Sequence, residues 1–139
     1  MQAVLCEIHT DASLTIPRRH MSAGIVVTFG DEVYRAAMTA PFIPCSMSAE
    51  AWAAWQGLRY AKELLCGASV KILHYTDCAG LVSAVRAGKA DRKVTSFYRT
   101  VTKLCDEADG YDWKIAWRSR KHPMMREPHA LAASVDFSS

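Results

Sequence analysis

The chain has 139 residues, half of them apolar and 22% charged, which fits one globular domain with a buried core and leaves no apolar run of about 18 residues for a membrane span. Its five cysteines are odd in number, scattered and without CxxC or CxxH spacing, which argues against a disulfide framework or a cysteine zinc site and for a reduced, cytoplasmic setting. The net charge of +3 is too small to establish a nucleic-acid partner by itself.

The opening MQAVLCEIHTDAS lacks the basic segment, apolar stretch and small-residue cleavage site of a secretory leader, so none is expected. Residues 4–10 read as a strand ending in Asp11, and ASLTIPRRHMS (12–22) reads as a loop because of its proline and basic residues. AGIVVTF (23–29) and VYRAAMTA (33–40) are strand-like, joined by a turn at Gly30, Asp31 and Glu32. A helix is expected from Ser46, capped by Ser46 or Ser48 and ended by Gly67, because Ala51, Trp55, Leu58, Ala61 and Leu65 recur at helical spacing. VKILHYTD (70–77) is a strand that again ends in aspartate, and short helices follow over 79–88 and 94–108. WKIAWRS (113–119) alternates as a strand, and a last helix is expected near Pro128, where proline suits a first turn. The order β-β-β-α-β-α-α-β-α implies an α/β domain with helices packed on a mixed sheet, and no linker divides residues 1–139.

Two basic clusters stand out, Arg18-Arg19-His20 and the denser Arg118, Arg120, Lys121, His122 and Arg126. Such clustering suits a phosphate backbone, and it equally suits a solvated loop. Trp52, Trp55, Trp113 and Trp117 read as core residues, and Cys78, beside Asp77, as a packed thiol.

Asp11 and Asp77 are both expected at strand carboxyl ends, the edge where open α/β sheets gather ligands. Glu50 falls in the first turn of the long helix. Each acid alone is an ordinary turn or first-turn residue. Together they form three acids that converge if the two strands are neighbours under that helix. Such a cluster needs a cation, and oxygen ligands suit Mg²⁺, with Mn²⁺ as a substitute.

Short motifs then carry a resemblance. HTDAS (9–13), AGIVV (23–27), SMSAEAWAAWQGLRYA (46–61), HYTDCAGLV (74–82) and REPHALAAS (126–134) follow in order. They resemble the TDGS strand, the glycine-containing second strand, the NxAE helix, the SDS strand and the ADxLA helix of the ribonuclease H family, in its shorter form without the basic handle. The resemblance implies a ribonuclease H-like fold, a mixed five-stranded sheet with helices on both faces. It gives Asp11, Glu50 and Asp77 the roles of catalytic metal ligands and puts His129 at the fourth position, where the family usually has aspartate. Argonaute slicer domains and Holliday-junction resolvases of the same superfamily accept histidine there. If His129 sits just inside a helix N-terminus, the positive potential favours its neutral, metal-binding form.

The family's RNA-contacting positions correspond to Ala12, Ser13, Ser46 and Ser48, with alanine where the family has glycine and serines where it is asparagine-rich. The loop with Arg118, Arg120, Lys121 and His122 lies where the family has its flexible histidine loop but lacks GHxG; its cations are expected to grip phosphates. The implied activity is Mg²⁺-dependent endonucleolytic cleavage of the RNA strand of an RNA–DNA hybrid by two-metal hydrolysis. Two alternatives are a DNA- or structure-selective nuclease on the same scaffold and a catalytically silent binding module.

Overall fold

Strand order in the sheet is β3-β2-β1-β4-β5, with β1 antiparallel to β2 and parallel to β4. A computed structural model describes residues 4–66, 70–88 and 95–135. Its elements are β1 (Val4–Thr15), β2 (His20–Phe29), β3 (Glu32–Thr39), α1 (Ser46–Leu65), β4 (Val70–Thr76), α2 (Ala79–Ala87), α3 (Ser96–Ala108), β5 (Asp112–Trp117) and α4 (Pro123–Ala133). The expected element order and mixed sheet are both observed. Among the described residues no helix is long and apolar enough to cross a membrane, and all five cysteines are free thiols.

Alternation on β1 separates the two faces. Ile8 and Thr10 turn towards α1, where a Cβ on Gly57 would come within 2.4 Å of Thr10 Cγ2. The alanine-rich stripe Ala51, Ala54, Leu58 and Ala61 is fully buried and lets α1 approach that closely. With Ile25, Val27, Ile72, Leu81, Val101 and Leu104 it builds the main core, each large aliphatic side chain contributing roughly 1.5–3 kcal/mol. The opposite face carries α4. A Cβ on Gly24 would lie 1.8 Å from the Pro128 carbonyl oxygen, so only glycine admits the helix there. Ser22 Oγ donates to the Ala132 carbonyl at 2.6 Å and fixes the far end of α4 on β2.

Four expectations are corrected. Residues 12–22 are mostly sheet: β1 and β2 stay paired from Ala12↔Ala23 to Thr15↔His20. Only the turn at 16–19 separates them. The backbone ladder is invisible in composition, and Pro17, Arg18 and Arg19, which suggested a longer loop, occupy only that turn. α1 is capped by Cys45, whose Sγ accepts from the Ser48 N–H at 3.5 Å, rather than by Ser46 or Ser48. Gly67, the expected stop, lies outside the described residues, and Cys66 closes the helix in the left-handed region at φ 44°. α4 begins at Pro123, where His122 Nδ1 accepts from the Met124 N–H at 3.1 Å, and Pro128 falls inside the helix. The first-turn proline is therefore Pro123. Finally, Trp117 is 56% exposed at the end of β5 rather than in the core, while Trp52, Trp55 and Trp113 are half-buried.

Candidate metal centre

β1 and β4 pair only as far as His9↔Tyr75. Beyond that point β1 continues alongside β2, whereas β4 ends at Thr76 and the chain enters α2 through Cys78, its N-cap. The strands part where Asp11 and Asp77 stand, and the early part of α1 brings Glu50 to the same opening. One oxygen from each of the three carboxylates lies within 4.8 Å of the other two. Asp11 is therefore inside a long strand rather than at its end, and it reaches the centre because its neighbour β4 stops.

Burial makes this cluster costly as bare anions. Desolvation, followed by the charge of Asp77, raises the Asp11 carboxyl above its usual range, and the hydrogen bond from His129 opposes the rise. Desolvation, with the charges of Asp11 and Asp77, pushes Glu50 up to about 9. The Ala12 N–H donates to Glu50 Oε1 at 2.8 Å and aims the carboxylate. Asp11 Oδ1 and Glu50 Oε2 are buried with no hydrogen-bond partner among the described residues. Two orphaned carboxylate oxygens beside a third acid are the donor set a hard divalent cation takes, so the residues fit Mg²⁺ or Mn²⁺.

An arginine and a histidine flank the acids. Arg120 Nε donates to Asp77 Oδ2 at 3.2 Å from a mostly solvent-exposed position. His129 Nδ1 donates to Asp11 Oδ2 at 2.7 Å. Its expected place just inside a helix N-terminus is corrected: the helix starts six residues earlier at Pro123, so His129 lies beyond the first turn.

A groove of about 520 Å³ opens over the acids, lined by Ala12, Leu14, Ser46, Glu50, Asp77, Trp117, Ser119 and Arg120 among others. Of the expected substrate-binding residues, Ala12, Ser46 and Arg120 face this groove. Ser48 does not: it is fully buried and its hydroxyl pairs with Ser96 Oγ at 3.1 Å. Ser13 pairs with Ser22 on the α4 face of β1. Lys121 is exposed in the loop, and His122 is committed to capping α4. Arg118 turns inward, its guanidinium 3.6 Å from the Tyr75 ring centroid and Nη1 donating to His9 Nε2 at 2.8 Å. It is half-buried there, engaged by the Tyr75 ring and His9 rather than lining the groove.

Sequence reasoning missed Leu14, Trp117 and Ser119 on the groove wall. The first became visible only once β1 continued past Asp11; for the others the signal was the strand end at Trp117. It also missed a buried histidine pair. His74 Nδ1 accepts from Trp113 Nε1 at 3.3 Å and its Nε2 donates to Thr10 Oγ1 at 3.0 Å, while His9 stacks on Tyr75. Burial first, then neighbouring cations, lowers His9 to about 4, and burial with the nearby His9 lowers His74 to about 3.

No protein-family model matches this sequence, and no curated protein matches it. Solved structures do match its fold. Ribonuclease H1 from the halophilic archaeon Halobacterium salinarum is similar at 17% identity and TM-score 0.71, covering 95% of this chain and 96% of its own. The N-terminal ribonuclease H domain of a Mycobacterium tuberculosis protein is similar at 18% identity and TM-score 0.70, covering 94% and 95%. The compost-derived LC11 ribonuclease H1, solved with an RNA/DNA hybrid, is similar at 10% identity and TM-score 0.76, covering 91% and 92%. These likenesses span nearly the whole chain, and the fold is that of ribonuclease H.

Proposed function

We propose that this chain is a divalent-metal-dependent endonuclease that hydrolyses the RNA strand of RNA–DNA hybrids. The observation that carries the reading is the convergence of Asp11, Glu50 and Asp77 within 4.8 Å at the parting of β1 and β4, on a ribonuclease H fold. Asp11, Glu50 and Asp77 would hold the ions, with His129 at the fourth position beside Asp11. When bound, the ions would supply an activated water and neutralise charge on the phosphoryl group and the leaving 3′-oxygen.

The chain's own residues orient these parts. The Ala12 amide holds Glu50, and His129 holds Asp11. Arg120 stands at the groove rim within reach of a phosphate, and the exposed Ser46 hydroxyl is the available partner for a 2′-hydroxyl. A hybrid duplex would otherwise be recognised by its shape and backbone charge.

One observation favours a second reading, a DNA- or structure-selective nuclease. Ser48, one of two serines expected to meet a 2′-hydroxyl, is buried against Ser96, which weakens discrimination of RNA from DNA. Cleavage of matched hybrid, double-stranded RNA, duplex DNA and single strands in Mg²⁺ and in Mn²⁺ separates the two. Preferential cutting of the hybrid's RNA strand supports the first reading; equal or preferential cutting of DNA replaces it with the second.

A further inference from the structure

Arg120 stands in two roles at once. Its Nε is 3.2 Å from Asp77 Oδ2, and its side chain is 69% exposed on the wall of the groove over the acids. Within that groove it supplies the positive charge nearest Asp77, whose side chain is only 11% exposed. The other two acids each use an oxygen on a neutral or imidazole donor, Glu50 on the Ala12 amide and Asp11 on His129. Asp77 alone is held by a flexible, fully charged side chain from a loop.

We infer that Arg120 is an internal counter-ion which a divalent cation must displace from Asp77 and which a substrate phosphate then captures, so that metal and phosphodiester binding reinforce each other. The inference rests on the proposed nuclease reading for the identity of the phosphodiester, but its first half concerns the metal alone.

The physical case is a competition between cations for one carboxylate. With no phosphate in the groove, the guanidinium on Asp77 Oδ2 offsets the carboxylate's charge and competes with a cation for that oxygen, which lowers metal affinity. An exposed guanidinium–carboxylate pair is worth a modest amount, on the order of a two- to fivefold change in a binding constant. A phosphate beside Ser46 and Ser119 offers Arg120 two oxygens in the planar geometry that a guanidinium prefers, so its release from Asp77 no longer leaves it unpaired. By linkage, whatever factor the phosphate adds to metal affinity, the metal adds to phosphate affinity. Lysine would repeat the charge without the fork, so Arg120→Lys should retain the competition and lose part of the capture.

The test titrates Mn²⁺ into the natural protein, Arg120→Gln and Arg120→Lys, following free Mn²⁺ by electron paramagnetic resonance. Each is measured alone and with a short hybrid whose RNA strand is 2′-O-methylated throughout, as an uncut phosphodiester probe. Circular dichroism checks that each variant is folded. Without probe, Arg120→Gln should bind Mn²⁺ about two- to fivefold more tightly than the natural protein. With probe, the natural protein should gain Mn²⁺ affinity and Arg120→Gln should gain much less. Unchanged or weaker Mn²⁺ binding by Arg120→Gln alone, or an equal gain from the probe in both proteins, overturns the inference. Cleavage of unmodified hybrid by the natural protein is scored separately: its absence, with the metal-only difference intact, removes the nuclease reading and leaves the counter-ion standing.

Discussion

His129 Nδ1 lies 2.7 Å from Asp11 Oδ2, joining the helix on one sheet face to the acid that stands where β1 and β4 part. This contact places His129 beside the acids although it stands away from the start of its helix. Asp11 is nearly fully buried, its other oxygen has no partner among the described residues, and His129 is the donor that aims it. Partners that orient metal-binding side chains typically change metal affinity by about 10- to 100-fold. His129→Ala should therefore weaken Mn²⁺ binding by that order, and turnover should fall further in Mg²⁺ than in Mn²⁺. His129→Asp cannot donate to Asp11, and it should keep substantial activity by offering a metal a fourth carboxylate in place of that contact. Equal metal affinity and equal rates for His129→Ala and the natural protein would make the histidine a bystander.

Gly24 tests whether α4 delivers that histidine. Its absent side chain leaves room for the Pro128 carbonyl, 1.8 Å from where a Cβ would sit, and the obstacle is rigid backbone. Gly24→Ala should cost about 1–3 kcal/mol of stability as an overpacked contact. Because Pro128 precedes His129, Mn²⁺ affinity should fall in parallel. Thermal melts showing the loss with unchanged Mn²⁺ affinity would mean that α4 shifts without moving His129.

The order of elements, the three acids and the mixed sheet were legible in the sequence because they are written in local pattern: strand alternation, the helical spacing from Ala51 to Leu65, and aspartates following apolar runs. Three features were not. The pairing of Ala12–Thr15 with His20–Ala23 depends on a partner strand, which no local composition reveals. The start of α4 depends on His122 serving as a cap, an unusual use of an imidazole, so Pro128 looked like the better first-turn proline. The inward turn of Arg118 depends on Tyr75 and His9, residues far away in the chain, which offer the guanidinium a ring face and an acceptor.

The buried histidines set a pH dependence of stability. His74 is fully buried and lowered to about 3, against an ordinary value of 6.5 in the unfolded chain. Between those values the unfolded state binds more protons, so stability contributed by neutral His74 is present above about pH 6.5 and lost as pH falls towards 3. His9, lowered to about 4, acts in the same direction. The raised carboxyls of Asp11 and Glu50 act in the opposite sense, so the histidine effect must be read as a difference between proteins. Urea unfolding at pH 4.5 and pH 7 should show a smaller acid-side loss for His74→Gln than for the natural protein. Equal losses would mean that His74 takes up its proton as readily in the folded protein as in the unfolded chain.

Asp77→Asn tests most directly whether Asp11, Glu50 and Asp77 hold divalent ions for phosphodiester hydrolysis. The change keeps the shape of the side chain and removes its charge, and relief of repulsion among the three acids should leave the metal-free protein at least as thermally stable. The deciding measurement is cleavage of an end-labelled RNA strand within a hybrid, in Mg²⁺, by natural protein and by Asp77→Asn shown to be folded. The natural protein should cut, chelation should stop it, and Asp77→Asn should cut more slowly by several orders of magnitude. Near-normal cutting by folded Asp77→Asn would contradict that role for the three acids.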